Sequence, residues 1–220
     1  QYGWSTSCFL LAVMALSILV CAAFLRGKPA VGTSVNQSGE APASMGEMLR
    51  VARRHRGFWL LTAGFFVCGF HVAFIGVHMP AFLSDRGLPA QAGAWSLALI
   101  GLFNVIGSMA AGYLGGRWSK KYLLSILYTL RSIAILLFIV MPITLTSVMV
   151  FSAAMGILWL STVPLTSGLV AQMFGTRYMG TLFAIVFLNH QIGSFLGVWL
   201  GGYFFDTYGT YDPVWWAGLV

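Results

Sequence analysis

Six long apolar runs, separated by short polar stretches, organise this chain: residues 4–25, 58–83, 94–115, 122–142, 146–174 and 180–205, with a seventh opening at Val214. Each is near or above the roughly 20 residues that a helix needs to cross a bilayer. The runs are continuous and do not alternate in ten-residue segments, so they predict helices and not the strands of an outer-membrane barrel. With 59% hydrophobic and 8% charged residues, the chain lacks the roughly 25% charged residues that a soluble domain shows to water. An all-α polytopic membrane protein is the fold class predicted.

Charge supplies an independent test of that threading. Up-and-down crossing puts Arg26, Lys28, Arg50, Arg53, Arg54, Arg56, Arg117, Lys120, Lys121 and Arg177 on one face, ten of the twelve basic residues. Only Arg86 falls on the other face, and Arg131 alone lies within a run. Short basic loops stay on the cytoplasmic side during insertion, so residues 27–57 and 116–121 are predicted to be cytoplasmic and the membrane to be the cytoplasmic (inner) one. The net charge of +7 is spread over loops facing anionic headgroups, which predicts the lipid bilayer as a partner and no nucleic acid. By the same rule the first run enters from outside, and it lacks the basic residues before it that mark a signal peptide; further helices are therefore expected to precede it.

Residues 27–57 form the one long polar connection. Its first half, GKPAVGTSVNQSGEAPAS, reads as a flexible linker. Ser44 and Glu47 then have the S-x-x-E spacing of a capping box, which predicts a short amphipathic helix carrying Arg50, Arg53, Arg54 and Arg56. The other loops are short, so the helices after the linker are expected to pack as antiparallel neighbours in one bundle. Small residues four apart predict close helix contact along Ser108, Gly112 and Gly116, and along Gly193, Gly197 and Gly201.

Ionisable groups within hydrocarbon are functional candidates by default. The runs contain four: His71, His78, Arg131 and His190, with no accompanying carboxylate. Arg131 reads in two ways, as a bidentate anchor for an organic anion, or as a structural cation that snorkels or bonds nearby carbonyls and Ser132. His71 and His78, seven residues apart, share a helix face. Asn189, His190 and Gln191 cluster in one run, and Asn104 and Ser108 share a face of another. Pro164 predicts a kink within 146–174, where Ser161, Thr162, Thr166 and Ser167 can bond freed backbone groups. Cys8, Cys21 and Cys68 are odd in number, lack metal-ligand spacing and read as small apolar residues. No metal or cofactor motif, and none for zinc proteolysis, nucleotide hydrolysis or serine hydrolysis, is present, so no enzyme is predicted.

Residues 112–121, GYLGGRWSKK, resemble the G-x-L-x-D-R-x-G-R-K loop motif of the major facilitator superfamily, through Gly112, Leu114, Arg117, Lys120 and Lys121. Gly116 stands where that motif has its acid, and Ser119 where it has its second glycine. Residues 193–216 are similar to the end of the eleventh helix in monocarboxylate and oxalate:formate porters and their bacterial relatives, through the glycine ladder, Asp206, Gly209, Tyr211 and Asp212. The resemblance implies the sixth helix of such a transporter (1–26, the last of its N-terminal bundle), the central cytoplasmic linker (27–57) and the C-terminal six-helix bundle (58–220), with the last helix incomplete.

That resemblance carries functional expectations. It implies secondary transport of a small solute, most plausibly a small organic anion, by alternating access, driven by an ion gradient or counter-substrate and completed by a missing N-terminal half. It also places the runs holding His71, His78, Asn104, Ser108, Asn189, His190 and Gln191 around a central cavity, and the run holding Arg131 at the periphery. Gly112, Arg117, Lys120 and Lys121 become a gating loop. Relatives often hold a carboxylate with a cation in the eighth or eleventh helix, and the matching runs here, 94–115 and 180–205, have none. Two rival readings remain: a haem-binding electron carrier using His71 or His78 with His190, and a membrane scaffold without a transport path.

Overall fold

The structure, a computed structural model, describes residues 44–219. The expected span 4–25 and the Gly-rich first half of the linker lie outside the described residues. Eight helices follow in order among the described residues: α1 Met45–Arg54, α2 Arg56–Asp85, α3 Ala90–Arg117, α4 Lys120–Val140, α5 Leu145–Leu158, α6 Thr162–Phe174, α7 Met179–Tyr208 and α8 Asp212–Ala217. No strand occurs among these residues. Five spans among the described residues are long and apolar enough to cross a membrane: α2, α3, α4, α5 with α6 as Leu145–Phe174, and α7.

The helix ends follow local chemistry. Ser44 Oγ accepts the N–H of Glu47 at 3.3 Å and starts α1 where the capping spacing predicts it. His55 ends α1 and starts α2, its own N–H bonding Ala52 O and its Nδ1 accepting the N–H of Phe58 at 3.2 Å. Trp59 Nε1 donates to Arg53 O at 2.8 Å and pins that corner. The apolar side of α1 turns inward, with Ala52 buried and Met48 packed on the core, while Arg50, Arg53 and Arg54 stay exposed. Past the spans, Gly175 and Gly209 adopt positive φ, 75° and 68°, which lets α6 and α7 stop sharply where a side chain would be strained.

Two helix pairs approach most closely among the described residues, and each does so through glycine. On α7 a Cβ at Gly193 would strike Phe66 O of α2, and from the other side a Cβ at Gly69 would strike His190 O. Gly197 and Gly201 continue the seam against Phe70 and the His78 ring. Missing side chains therefore let the two backbones meet, and hydrocarbon supplies no other force for such contact than packing and hydrogen bonding. Between α3 and the α5–α6 span, Gly107 faces Ile157 O, Gly156 faces Ile100, and Gly115 faces Leu165.

Here the small-residue expectation for α3 needs correction. Gly112 and Gly116 face open space, and Ser108 bonds Asn104 on its own helix. The stripe that packs is one residue earlier, Gly107, Ala111 and Gly115, all buried. Four-residue spacing fits both stripes, and only the position of the neighbouring span selects one.

Two cores result. At one end Phe74, Phe82, Phe138, Phe151, Tyr211 and Trp215 interlock, with Phe138 stacked on Phe151 at 4.1 Å. Burial, with the carboxylates of Asp85 and Asp206, holds the Tyr211 phenol above its ordinary range, so it stays neutral against Phe205. Arg86 there pairs with Asp212 at 3.0 Å, tying α2 to α8. At the opposite end Phe58, Leu61, Leu124, Val170, Phe174 and Leu182 form the second core. Antiparallel crossing brings Arg56, Arg117, Lys120, Lys121 and Arg177 to that end.

Three outcomes follow for thermal melting of the full-length protein in detergent. Gly193→Val lowers the melting temperature strongly, because overpacking against backbone costs about 1–3 kcal/mol or more, whereas Gly112→Ala is neutral or slightly stabilising. Asp212→Asn shifts melting little, since a half-exposed pair contributes under about 1 kcal/mol.

Candidate functional site at a broken span

The run expected as one kinked helix over 146–174 is two helices, interrupted at Trp159, Leu160 and Ser161. Pro164 causes this from the first turn of α6. It has no N–H for the carbonyl of Leu160, and its ring disfavours continuous helix through the preceding turn. The break therefore opens upstream of the proline, in the middle of the span.

Every backbone group freed there must find a partner. Trp159 N–H turns back to Gly156 O at 3.1 Å, and Val163 N–H to Leu160 O at 3.0 Å. Ser161 Oγ donates to Ile157 O, and Ser167 Oγ to Pro164 O at 3.2 Å, as the hydroxyl cluster predicts. Other helices supply partners for three more of these groups. Asn104 Oδ1, from α3, accepts the N–H of Leu160 at 3.0 Å and also the hydroxyl of Ser108 at 3.3 Å. Arg131, from α4, donates through Nη2 to both Leu158 O and Trp159 O, the latter at 2.8 Å.

Arg131 is thus placed by sequence position alone. It is the twelfth of the 21 residues of α4, and Asn104 is the fifteenth of the 28 residues of α3. Both reach the middle of a 30-residue span at its interruption. Arg131 does not snorkel: its exposure is 0%. Its partners are carbonyls of the neighbouring helix and not Ser132. Its Nε and Nη1 are buried and have no partner.

The surrounding group includes residues that sequence patterning passes over. Cys68, read above as apolar filler, has its Sγ 3.4 Å from Thr162 Oγ1 and lies beside Arg131 and His190. Tyr128 lies one turn before Arg131, whose guanidinium sits 5.6 Å from its ring centroid, and its buried hydroxyl has no partner. Thr166 Oγ1 is likewise buried and unpartnered. A three-residue offset on one helix face was the available signal for Tyr128 against Arg131, and for Cys68 against His71.

The remaining candidates are bonded elsewhere. His71 and His78 share a face of α2 but reach different helices: His71 Nε2 pairs with Gly218 O at 2.6 Å, and His78 Nε2 with Val198 O at 2.9 Å. For both rings the Nε2 nitrogen is engaged in an interhelical bond, so ligation of a haem iron through it would require breaking that bond. His190 is stacked on Phe187 at 5.4 Å and lies 4.8 Å from the Phe65 ring. Asn189 Nδ2 donates within α7 to Ile185 O at 3.0 Å, and Gln191 Oε1 lies 3.4 Å from His190 Nδ1. Ser194, unremarked in the sequence, bridges α7 to Gly69 O of α2 at 3.2 Å. In the 112–121 loop, Arg117 lies over Tyr113 at 4.3 Å, Lys121 over Tyr122 at 5.6 Å, and the Lys120 stem packs on Gly168.

Comparison with known proteins places this bundle. The family model described as Major Facilitator Superfamily matches residues 1–218. Similar proteins include the "Uncharacterized MFS-type transporter YcxA" of Bacillus subtilis (strain 168), 30% identical over 180 residues, covering 75% of this chain and 44% of that protein. Monocarboxylate transporter 13 of Rattus norvegicus is 25% identical over 216 residues, covering 96% of this chain and 48% of that protein. Its counterpart from Bos taurus is 24% identical, with the same two coverages. The chain spans about half the length of these relatives. With a multi-pass helical bundle and a family match along nearly its whole length, this chain belongs to the Major Facilitator Superfamily.

Proposed function

We propose that this chain forms one wall of the path by which a small organic anion crosses the membrane, in a secondary transporter that works by alternating access. The observation that carries the reading is Arg131, a fully buried cation at mid-span. In the described spans the only carboxylates are Asp85 and Asp206, at or near helix ends. Two unit charges 4 Å apart interact by about 4 kcal/mol at an effective dielectric constant of 20. A guanidinium with no carboxylate beside it therefore favours an anion in its neighbourhood and opposes a cation to a similar extent. The name of monocarboxylate transporter 13 supports the same substrate class.

In this reading a second helix bundle supplies the other wall, in keeping with the length of the relatives. The end bearing Arg117, Lys120 and Lys121 faces the cytoplasm of the inner membrane, and with Gly112 these residues form the gating loop. Asn104, Ser108 and His190 line the path beside Arg131, with Asn189 and Gln191 on the same stretch of α7 as His190. His71 and His78 act as helix-bridging donors, and Gly193, Gly197 and Gly201 provide the seam on which α7 rests. An ion gradient or counter-substrate drives the cycle.

Uptake of radiolabelled lactate, with choline as the cationic control, into vesicles holding the full-length protein tests this. Lactate is taken up and choline is not. Arg131→Gln lowers lactate uptake about tenfold or more, the scale of one lost charge-assisted bond, and Arg131→Lys retains more than the glutamine variant. Undiminished uptake by Arg131→Gln in properly folded protein rejects the anion site.

A further inference from the structure

A guanidinium offers a carboxylate two edges on which both oxygens are bonded, Nε with Nη2 and Nη1 with Nη2. Nη2 belongs to both. In Arg131 that nitrogen donates to both Leu158 O and Trp159 O. The free donors, Nε and Nη1, lie on different edges and cannot grip one carboxylate together. A bidentate ligand thus has to take Nη2 from the broken span.

We propose that an incoming carboxylate and the carbonyls of Leu158 and Trp159 compete for Arg131 Nη2, so that substrate binding releases the break at 159–161. This rests on the anion reading above and adds how the site is coupled to movement. A fork bonds both oxygens of the carboxylate to one cation, which a contact through Nε or Nη1 alone does not.

Either fork takes one of the two Nη2 hydrogens, and a carbonyl that loses it has a place to go. In a continuous helix Leu158 O would accept the N–H of Thr162, and Trp159 O that of Val163. The N–H of Leu160, now held by Asn104, would return to Gly156 O. Only Leu160 O lacks an N–H four residues on, because that position is Pro164. Rewinding forgoes the bond to Leu160 O and brings that carbonyl against the Pro164 ring, so the rewound span keeps a kink there while α5 and α6 change their mutual angle. Asn104 is a positioning residue here: it favours the broken state and so opposes the ligand. Each arrangement satisfies most of the same groups, and a ligand with differential affinity shifts the balance between them.

Nitroxides at cysteines substituted for the exposed Val150 and Gln172, one on each side of the break, report its angle in the full-length protein in nanodiscs. Lactate, pyruvate, propionate and acetate serve as probes, with binding measured separately by calorimetry. The expected result is a change in the label distance that saturates with the same midpoint as binding. Asn104→Leu binds the same carboxylate about fivefold more tightly, the scale of one net hydrogen bond; a purely structural Asn104 would leave affinity unchanged or weaken it. Carboxylate that binds without moving the labels, or no gain in Asn104→Leu, overturns the competition and leaves the anion reading standing. Absence of binding by any of the four overturns both.

Discussion

Hydrocarbon offers a freed backbone group nothing to bond, and the span from Leu145 to Phe174 is interrupted where that penalty is largest. Pro164 starts the interruption, but side chains from two other helices make it tolerable. Arg131 takes the carbonyls at the end of α5 and Asn104 the N–H in the gap. Each unsatisfied group would otherwise cost several kcal/mol. The positions of α3 and α4 around the span, and the burial of the polar residues between them, follow from this need.

A second constraint fixes the other side of the bundle. The α2–α7 seam has backbone against side-chain-free backbone at Gly69, Gly193 and Gly197. Such contact leaves little freedom to slide, and Ser194 Oγ and His78 Nε2 add bonds across it. The seam includes no proline-induced gap and no uncompensated charge. The structure thus pairs a tightly joined α2–α7 unit with a span whose halves are held apart by side-chain hydrogen bonds.

The five spans among the described residues, and their order, were legible in the sequence because continuous apolar length is a direct physical requirement of crossing a bilayer. Runs 58–83 and 180–205 became α2, Arg56–Asp85, and α7, Met179–Tyr208, extended only into their polar flanks. Pro164 announced a bend, yet its location upstream depended on which carbonyl loses its donor and on what α3 and α4 offer there. The packing stripe of α3 was ambiguous because two small-residue series, starting at Gly107 and Ser108, run side by side. His71 and His78 share a face by spacing, but seven residues of rise separate them enough to meet different helices. Cys68 was unreadable as a polar neighbour because its environment comes from Thr162, ninety-four residues away.

Carbonyl capping alone does not account for arginine at position 131. A neutral amide could donate two hydrogen bonds to Leu158 O and Trp159 O without bringing a charge into hydrocarbon. An arginine at the centre of a span costs about 2.5–3.5 kcal/mol on insertion scales, and a buried unpaired charge is worse still. In this fold the carboxylates of the described spans stay near helix ends, and the Nε and Nη1 of Arg131 make no hydrogen bond. Hydrogen-bonding capacity explains the half of Arg131 that faces the break. In the proposed reading its charge and its unused donors answer to a ligand of opposite sign, so the side chain that holds the span open is also the one that the anion engages.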